Sequence, residues 1–371
     1  MPKCIYCNKR EADSEEHSFP AALGMDYIKG FITLKGKLCK VCNGEIGKIE
    51  EQFLRCSPEA FFRYRLKIEG RKSHDKINPY HRGSSSGKPI KAEINTPNSI
   101  DRFLCEPEND SDDFTYSYQI TLKDSDGNLH PIIVPDNVNS SESLDKLLAS
   151  KGMSKLEFHS AIIDPDRKHI IEGLSNLKGK RINWEDMPKG HHGKKEFLIT
   201  FEYTDKYFKA ITKIAFHYFL QYFEHYNGNE KEFEGIKAFI MKGGEVNEWV
   251  TIVPGSFIED FKNRFVSTNI YGHFVVAEDT GDRIFVKLGF FYGPTCLQDR
   301  HFEVQIGKSP GLIKKPKDIG HQILYFAKKD DNGFIGEMKE LRKYSKGFLS
   351  SLLIPKKQSL GKLLKVIRRY T

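Results

Sequence analysis

The sequence predicts an α+β chain: a small metal-stapled module at the N-terminus, then a mixed α+β domain with a β-rich C-terminal part. Three observations carry this. Two Cys-x-x-Cys pairs, Cys4/Cys7 and Cys39/Cys42, bracket a short segment that runs into a helical stripe. A long apolar stripe at helical spacing covers 205–226. From about 249 to 326 the pattern changes to short β runs, one pair of them separated by Glu278-Asp279-Thr280-Gly281-Asp282.

Four thiolates at the first spacing suit a tetrahedral Zn²⁺, each pair forming a tight knuckle. Such a site has no open coordination position, so it is a staple and any catalysis lies in what it holds. A knuckle and short hairpin are expected from Cys4 to about Gly30, presenting His17, with a helix from about Val41. Ile46, Ile49 and Phe53 would pack that helix under the hairpin while Lys48 and Glu51 stay in water. A second helix is expected over Pro58–Ile68, with Ser57 as cap, Pro58 at the first helical position and Glu59 at the positive dipole end.

Residues 1–69 therefore read as one module. The segment 70–88, with Gly70-Arg71-Lys72-Ser73-His74 and Gly83-Ser84-Ser85-Ser86-Gly87, reads as a linker. Residues 89–196 are expected to be mostly β, with strands at Phe114–Lys123, His130–Val134 and Leu156–Ile163, a turn at Asp124–Asn128 and a serine-capped helix at Ser141–Ser150. His191-His192 reads as part of a flexible basic loop, with metal or phosphate binding as the alternative.

Residues 197–371 form the expected α+β C-terminal domain. Ile211, Ile214, Ala215, Tyr218, Phe219 and Tyr222 line the core face of its main helix, with Lys206, Lys209 and Lys213 off the stripe and His217 and His225 as packing or surface residues. Lys231–Met241 is a second helix ending at Gly243-Gly244. Strands follow at Tyr271–Ala277, Arg283–Phe291, His301–Ile306 and Gln322–Phe326. A basic tail closes the chain, its final helix carrying Leu360, Leu363, Leu364 and Ile367.

Taken together, Cys4, Cys7, Glu16, His17, Phe19, Pro20, Leu23, Gly24, Cys39, Cys42, Asn43 and Gly47 form a pattern that resembles the HNH endonucleases of the ββα-metal type. The resemblance covers about the first sixty residues. It implies a zinc-bound ββα-metal module in which His17 is the general base that takes a proton from water, and Glu16 and Asn43 hold a divalent ion, Mg²⁺ or Mn²⁺. The family's middle asparagine has no counterpart in Thr33-Leu34-Lys35-Gly36-Lys37-Leu38, which leaves a backbone carbonyl, Thr33 or Lys35 to orient His17. Met25 stands where relatives often have a second glycine. The resemblance further implies DNA cleavage, with double-stranded DNA as partner, and a setting such as restriction or anti-phage defence, alone, as a homodimer or within a defence complex.

Basic residues flank this site. Arg63, Arg65 and Lys67, interleaved with Phe61, Phe62 and Tyr64, read either as phosphate contacts or as the wet edge of a packing helix. Lys35 and Lys37 are further candidate nucleic-acid contacts. Lysine and arginine exceed aspartate and glutamate by eight, 58 against 50, a surplus that draws a chain toward polyphosphate. No apolar run approaches the ~20 residues needed to cross a bilayer, and Met1-Pro2-Lys3-Cys4 lacks a leader pattern, so a cytoplasmic location and reduced cysteines are expected. Cys56, Cys105 and Cys296 read as ordinary semi-buried thiols. Two further readings fit the same residues: a non-catalytic zinc-finger DNA-binding module, and a nuclease effector gated by a ligand or partner.

Overall fold

The computed structural model describes residues 2–23, 33–65, 68, 79–80, 90–95, 102–107, 114–163, 165–174, 197–200, 203–223, 226–254, 270–279, 282–292, 300–308, 321–330 and 333–342. The fold is mixed α+β with antiparallel sheets, and it divides into two units, one of 1–89 with 202–371 and one of 90–201. The second unit runs from Ile90 to Phe201. The modules expected at 1–69 and 197–371 do not separate, because their apolar residues share one core.

The first unit opens with β1 (Ser14–His17) paired antiparallel to β2 (Thr33–Leu38), followed by α1 (Lys40–Arg55) and α2 (Pro58–Arg65). The hairpin is wider than expected, since its second strand lies directly before Cys39 and not within the first thirty residues. Gly36, at φ +63°, sits in the bulge that shifts the register between Ser14 and Glu15. On α1, Ile46, Ile49 and Phe53 are buried as their spacing requires. Burying each such side chain is worth about 1.5–3 kcal/mol. The Ser57 hydroxyl accepts the Ala60 amide at 3.2 Å and caps α2.

The second unit contains β3 (Lys91–Asn95), β4 (Arg102–Pro107), β5 (Phe114–Tyr116), β6 (Gln119–Lys123), β7 (Leu129–Ile133), α3 (Ser141–Ser150), β8 (Glu157–Ile162), α4 (Lys168–Glu172) and β9 (Phe197–Thr200). They form sheets ordered β5-β4-β3-β9 and β7-β6-β8. The single strand expected over Phe114–Lys123 is broken at Ser117–Tyr118. There the buried Gln119 amide accepts the Leu104 N–H at 2.9 Å and donates to the Leu104 carbonyl at 2.7 Å, occupying with a side chain the backbone groups that a strand would pair. The turn at Asp124–Asn128 forms as expected, with Gly127 at φ +87° and Asp124 Oδ1 accepting the Asp126 and Asn128 amides. Helix α3 has Ser140 as cap, with a capping box to Ser143.

The first unit resumes with α5 (Asp205–Tyr222), α6 (Glu234–Lys242), β10 (Val250–Pro254), β11 (Ile270–Asp279), β12 (Arg283–Tyr292), β13 (Arg300–Lys308), β14 (His321–Asp330) and β15 (Gly333–Arg342). The strands form one antiparallel sheet, ordered β10-β13-β12-β11-β14-β15. Part of the stretch expected to be basic tail is therefore the edge strand β15. The expected final helix, Cys296, His191, His192 and His225 lie outside the described residues.

Helix α5 packs against α1 and β2 and also against β12 and β13, so it is covered on several sides. From Ala210 to Leu220 every residue is buried, Lys213 and His217 included. This corrects the expected one-sided stripe: a helix lined with apolar residues all round has no wet face on which to place a lysine. The sheet also reaches the hairpin module directly. Buried His273 on β11 donates through Nε2 to the Leu23 carbonyl at 3.0 Å, and its Nδ1 accepts the Phe291 N–H at 3.2 Å. Phe291 takes φ +52°, a left-handed value that side-chain-bearing residues seldom adopt. Among the described residues no helix is long and apolar enough to cross a membrane.

Candidate functional site

The first pair of cysteines sits on a turn closed by the Asn8 N–H donating to the Cys4 carbonyl at 2.9 Å, with Asn8 at φ +51°. The Ile5 N–H donates to the Lys37 carbonyl at 2.9 Å, which fixes this turn to β2. The second pair starts α1. Cys39 is its N-cap, extended at φ −87°, ψ 156°, and its Sγ accepts the Cys42 N–H at 3.5 Å. Asp13 adds a carboxylate at the same helix end, accepting the Lys40 amide at 3.0 Å.

The ligand atoms of Cys4, Cys7, Cys39 and Cys42 all lie within 4.8 Å of one another, so the four can hold a metal ion such as zinc. The donor set fits: Zn–S bonds of about 2.3 Å in a tetrahedron place sulfurs about 3.8 Å apart, and Cys7 Sγ lies 3.9 Å from Cys39 Sγ. Burial opposes ionisation of Cys7, but backbone N–H groups of Arg10 and Lys9 and the thiols of Cys4 and Cys39 bring it down to about 6. Burial and its sulfur neighbours push Cys42 up. The group readily holds one thiolate, and a cation stabilises the rest.

Above this cluster stand the three residues expected to do chemistry. Glu16 is buried on β1, His17 is half-buried at the end of that strand, and Asn43 is half-buried in the first turn of α1. The Asn43 Nδ2 donates to the Glu15 carbonyl at 3.4 Å, which ties the helix start to β1 two residues before His17. By the period of two along a strand, His17 shares the Glu15 side of β1 and Glu16 faces the opposite way.

Glu16 meets Lys213, expected only as a residue off the apolar stripe, and Lys213 in turn meets Glu50. Glu16 Oε1 lies 2.5 Å from Lys213 Nζ, which is also 2.5 Å from Glu50 Oε1 and donates to the His17 carbonyl at 2.7 Å. Two carboxylates thus surround one ammonium. Burial works against the Lys213 charge, but Glu16 and Glu50 outweigh it and raise the pKa above that of an ordinary lysine. Burial raises Glu50 to about 6, with Glu16 adding to the rise and Lys213 opposing it. Next to this cluster, Tyr6 Oη lies 2.8 Å from His217 Nε2.

Signals for these residues were present. Glu50 follows Asn43 by seven positions, two turns along one helix face, and Lys213 lies in the run Thr212-Lys213-Ile214-Ala215-Phe216-His217-Tyr218, too apolar for a solvated helix. The residues expected to touch nucleic acid divide. Arg63 is buried, with Nη1 donating to the Leu54 carbonyl at 3.4 Å, so it is a packing residue and not a phosphate contact. Lys37 donates to the Asn227 carbonyl at 3.1 Å, and burial lowers its pKa. Lys35 is exposed and pairs with Glu15 at 3.0 Å. Arg65 is half-buried, and Lys67 lies outside the described residues. No family model, curated protein or solved structure matches the chain.

Proposed function

We propose that the chain is a zinc-stapled, metal-dependent HNH-type endonuclease that hydrolyses DNA phosphodiesters. The observation that carries this reading is the clamp around β1: the four-cysteine group fixes the hairpin to the start of α1, and the Asn43 amide reaches β1 two residues before His17. A histidine at a strand end whose strand is tied to a helix-borne asparagine supports a reading in which the imidazole activates water on a phosphodiester.

In this reading Cys4, Cys7, Cys39 and Cys42 hold zinc as a structural ion. His17 takes a proton from water as the water oxygen bonds to phosphorus and the bond to the 3′ oxygen breaks. Asn43 and Glu16 would be the oxygen donors for Mg²⁺ or Mn²⁺; Glu16 Oε1 is taken by Lys213, and Glu16 lies on the opposite face of β1 from His17. The bound ion supplies charge stabilisation at the phosphate and the leaving oxygen. The excess of eight positive charges favours association with the DNA backbone.

A second reading, a zinc finger that binds DNA without cutting, is favoured by the hold of Lys213 on Glu16. A supercoiled-plasmid nicking assay with Mg²⁺ or Mn²⁺ separates the two. The nuclease reading expects nicking that falls by at least about 100-fold in His17→Ala while bound zinc is unchanged. DNA binding without nicking by the wild-type chain would establish the second reading.

A further inference from the structure

We propose that Lys213 is a positioning residue for the hydrolytic site, completing from α5 the strand end that carries His17; this rests on the nuclease reading above. An ammonium has three N–H bonds, and Lys213 Nζ meets three acceptors: Glu16 Oε1 at 2.5 Å, Glu50 Oε1 at 2.5 Å and the His17 carbonyl at 2.7 Å. The lysine side chain has no solvent exposure, so protein groups alone satisfy it. Lysine is ordinarily a charge on a flexible stem. Here the stem rises from the most deeply covered part of α5, which removes that freedom.

The third bond gives Lys213 more than charge balance. The two carboxylates supply countercharge to the ammonium whatever the course of the main chain, whereas a bond to the His17 carbonyl makes the backbone of that residue depend on α5. Glu16 is fixed through its side chain and His17 through its main chain, so one buried charge sets two adjacent residues. Strand β1 ends at His17, which places the anchor where its ladder with β2 stops. The main-chain position from which the imidazole projects is thus held by a side chain 196 residues away.

The test uses the full chain as wild type, Lys213→Met, Lys213→Arg and His17→Ala, in plasmid nicking with Mn²⁺ across pH, with zinc content and amide hydrogen exchange measured on each. Lys213→Met is expected to keep its zinc, lose about 100-fold in kcat with KM for plasmid changed less than about threefold, and show a displaced pH–rate profile; Lys213→Arg recovers about tenfold of the loss. Exchange of the Glu16–Phe19 amides is expected to accelerate in Lys213→Met while that of Cys4–Cys7 does not. A Lys213→Met chain with wild-type kcat and pH profile, or with unaltered exchange at Glu16–Phe19, overturns the proposal. Should that variant fail to fold, Lys213→Arg decides, and wild-type rate, profile and exchange in it also overturn the proposal. A wild-type chain that nicks nothing overturns the nuclease reading instead, and the exchange arm still decides whether Lys213 sets the strand end.

Discussion

The hydroxyl of Tyr6 lies 2.8 Å from Nε2 of His217, joining the first cysteine turn to the middle of α5 across 211 residues of sequence. Burial, then the Lys213 charge, pushes His217 well below its ordinary pKa, so the imidazole is neutral. Burial, reinforced by Glu16, holds Tyr6 well above its ordinary value, so the phenol keeps its proton and forms a neutral hydrogen-bonded pair with Nε2. Tyr6→Phe leaves that nitrogen buried without its hydrogen-bond partner, with an expected loss of about 1–3 kcal/mol in urea unfolding. Combined with His217→Leu, the loss is expected to be smaller than the sum of the single losses, the sign of direct coupling.

Metal removal is expected to act on stability before chemistry. Elemental analysis should find one zinc per chain, lost in Cys4→Ser and Cys42→Ser and kept in Cys105→Ser, whose buried thiol on β4 is not one of the four grouped cysteines. Chelation at neutral pH is expected to cost several kcal/mol, on the order seen where zinc binding is coupled to folding, read as a fall in melting temperature that added zinc reverses.

His273 adds an acid dependence. Burial lowers it to about 4, although its bond to the Leu23 carbonyl works the other way. An unfolded histidine titrates near ~6.5, so the folded value is the depressed one. The unfolded chain then binds the extra proton between these values, and the stabilisation is present above about pH 6.5 and lost as the pH falls toward 4. The difference is on the order of 3 kcal/mol. His273→Gln, whose amide can donate to Leu23 and accept from Phe291, is expected to lack this component when unfolding is compared at pH 7 and pH 4.5.

Arg63 separates packing from DNA contact. Because it is buried against the end of α1, Arg63→Ala is expected to destabilise the chain by about 1–3 kcal/mol. The salt dependence of DNA affinity should stay unchanged in that variant. A reduced salt slope at wild-type stability would return Arg63 to the phosphate-contacting surface.

Local chemistry accounts for what could be read along the chain. The stripe Ile46, Ile49, Phe53 gave α1, the Ser57 cap gave the start of α2, and Gly243, at φ +88°, ended α6 close to where it was expected. The cysteine group was legible because metal coordination constrains spacing within a few residues. Lys213 and Glu50 carried only a faint signal of spacing and apolar context, because their pairing brings together segments separated in sequence by the whole 90–201 unit. Arg63 was misread for a related reason: periodicity shows which helical positions share a face, but not that a charged face is to be covered.

The insertion of the 90–201 unit between α2 and α5 has a consequence during synthesis. Glu16 and Glu50 leave the ribosome well ahead of the ammonium that lies between them. The roughly 160 residues from Glu50 to Lys213 take about 8–30 s at 5–20 residues per second. Through that interval the nascent hairpin has its thiols and its acids but no countercharge from α5, so a metal ion on the four cysteines would be able to brace the segment before Lys213 arrives.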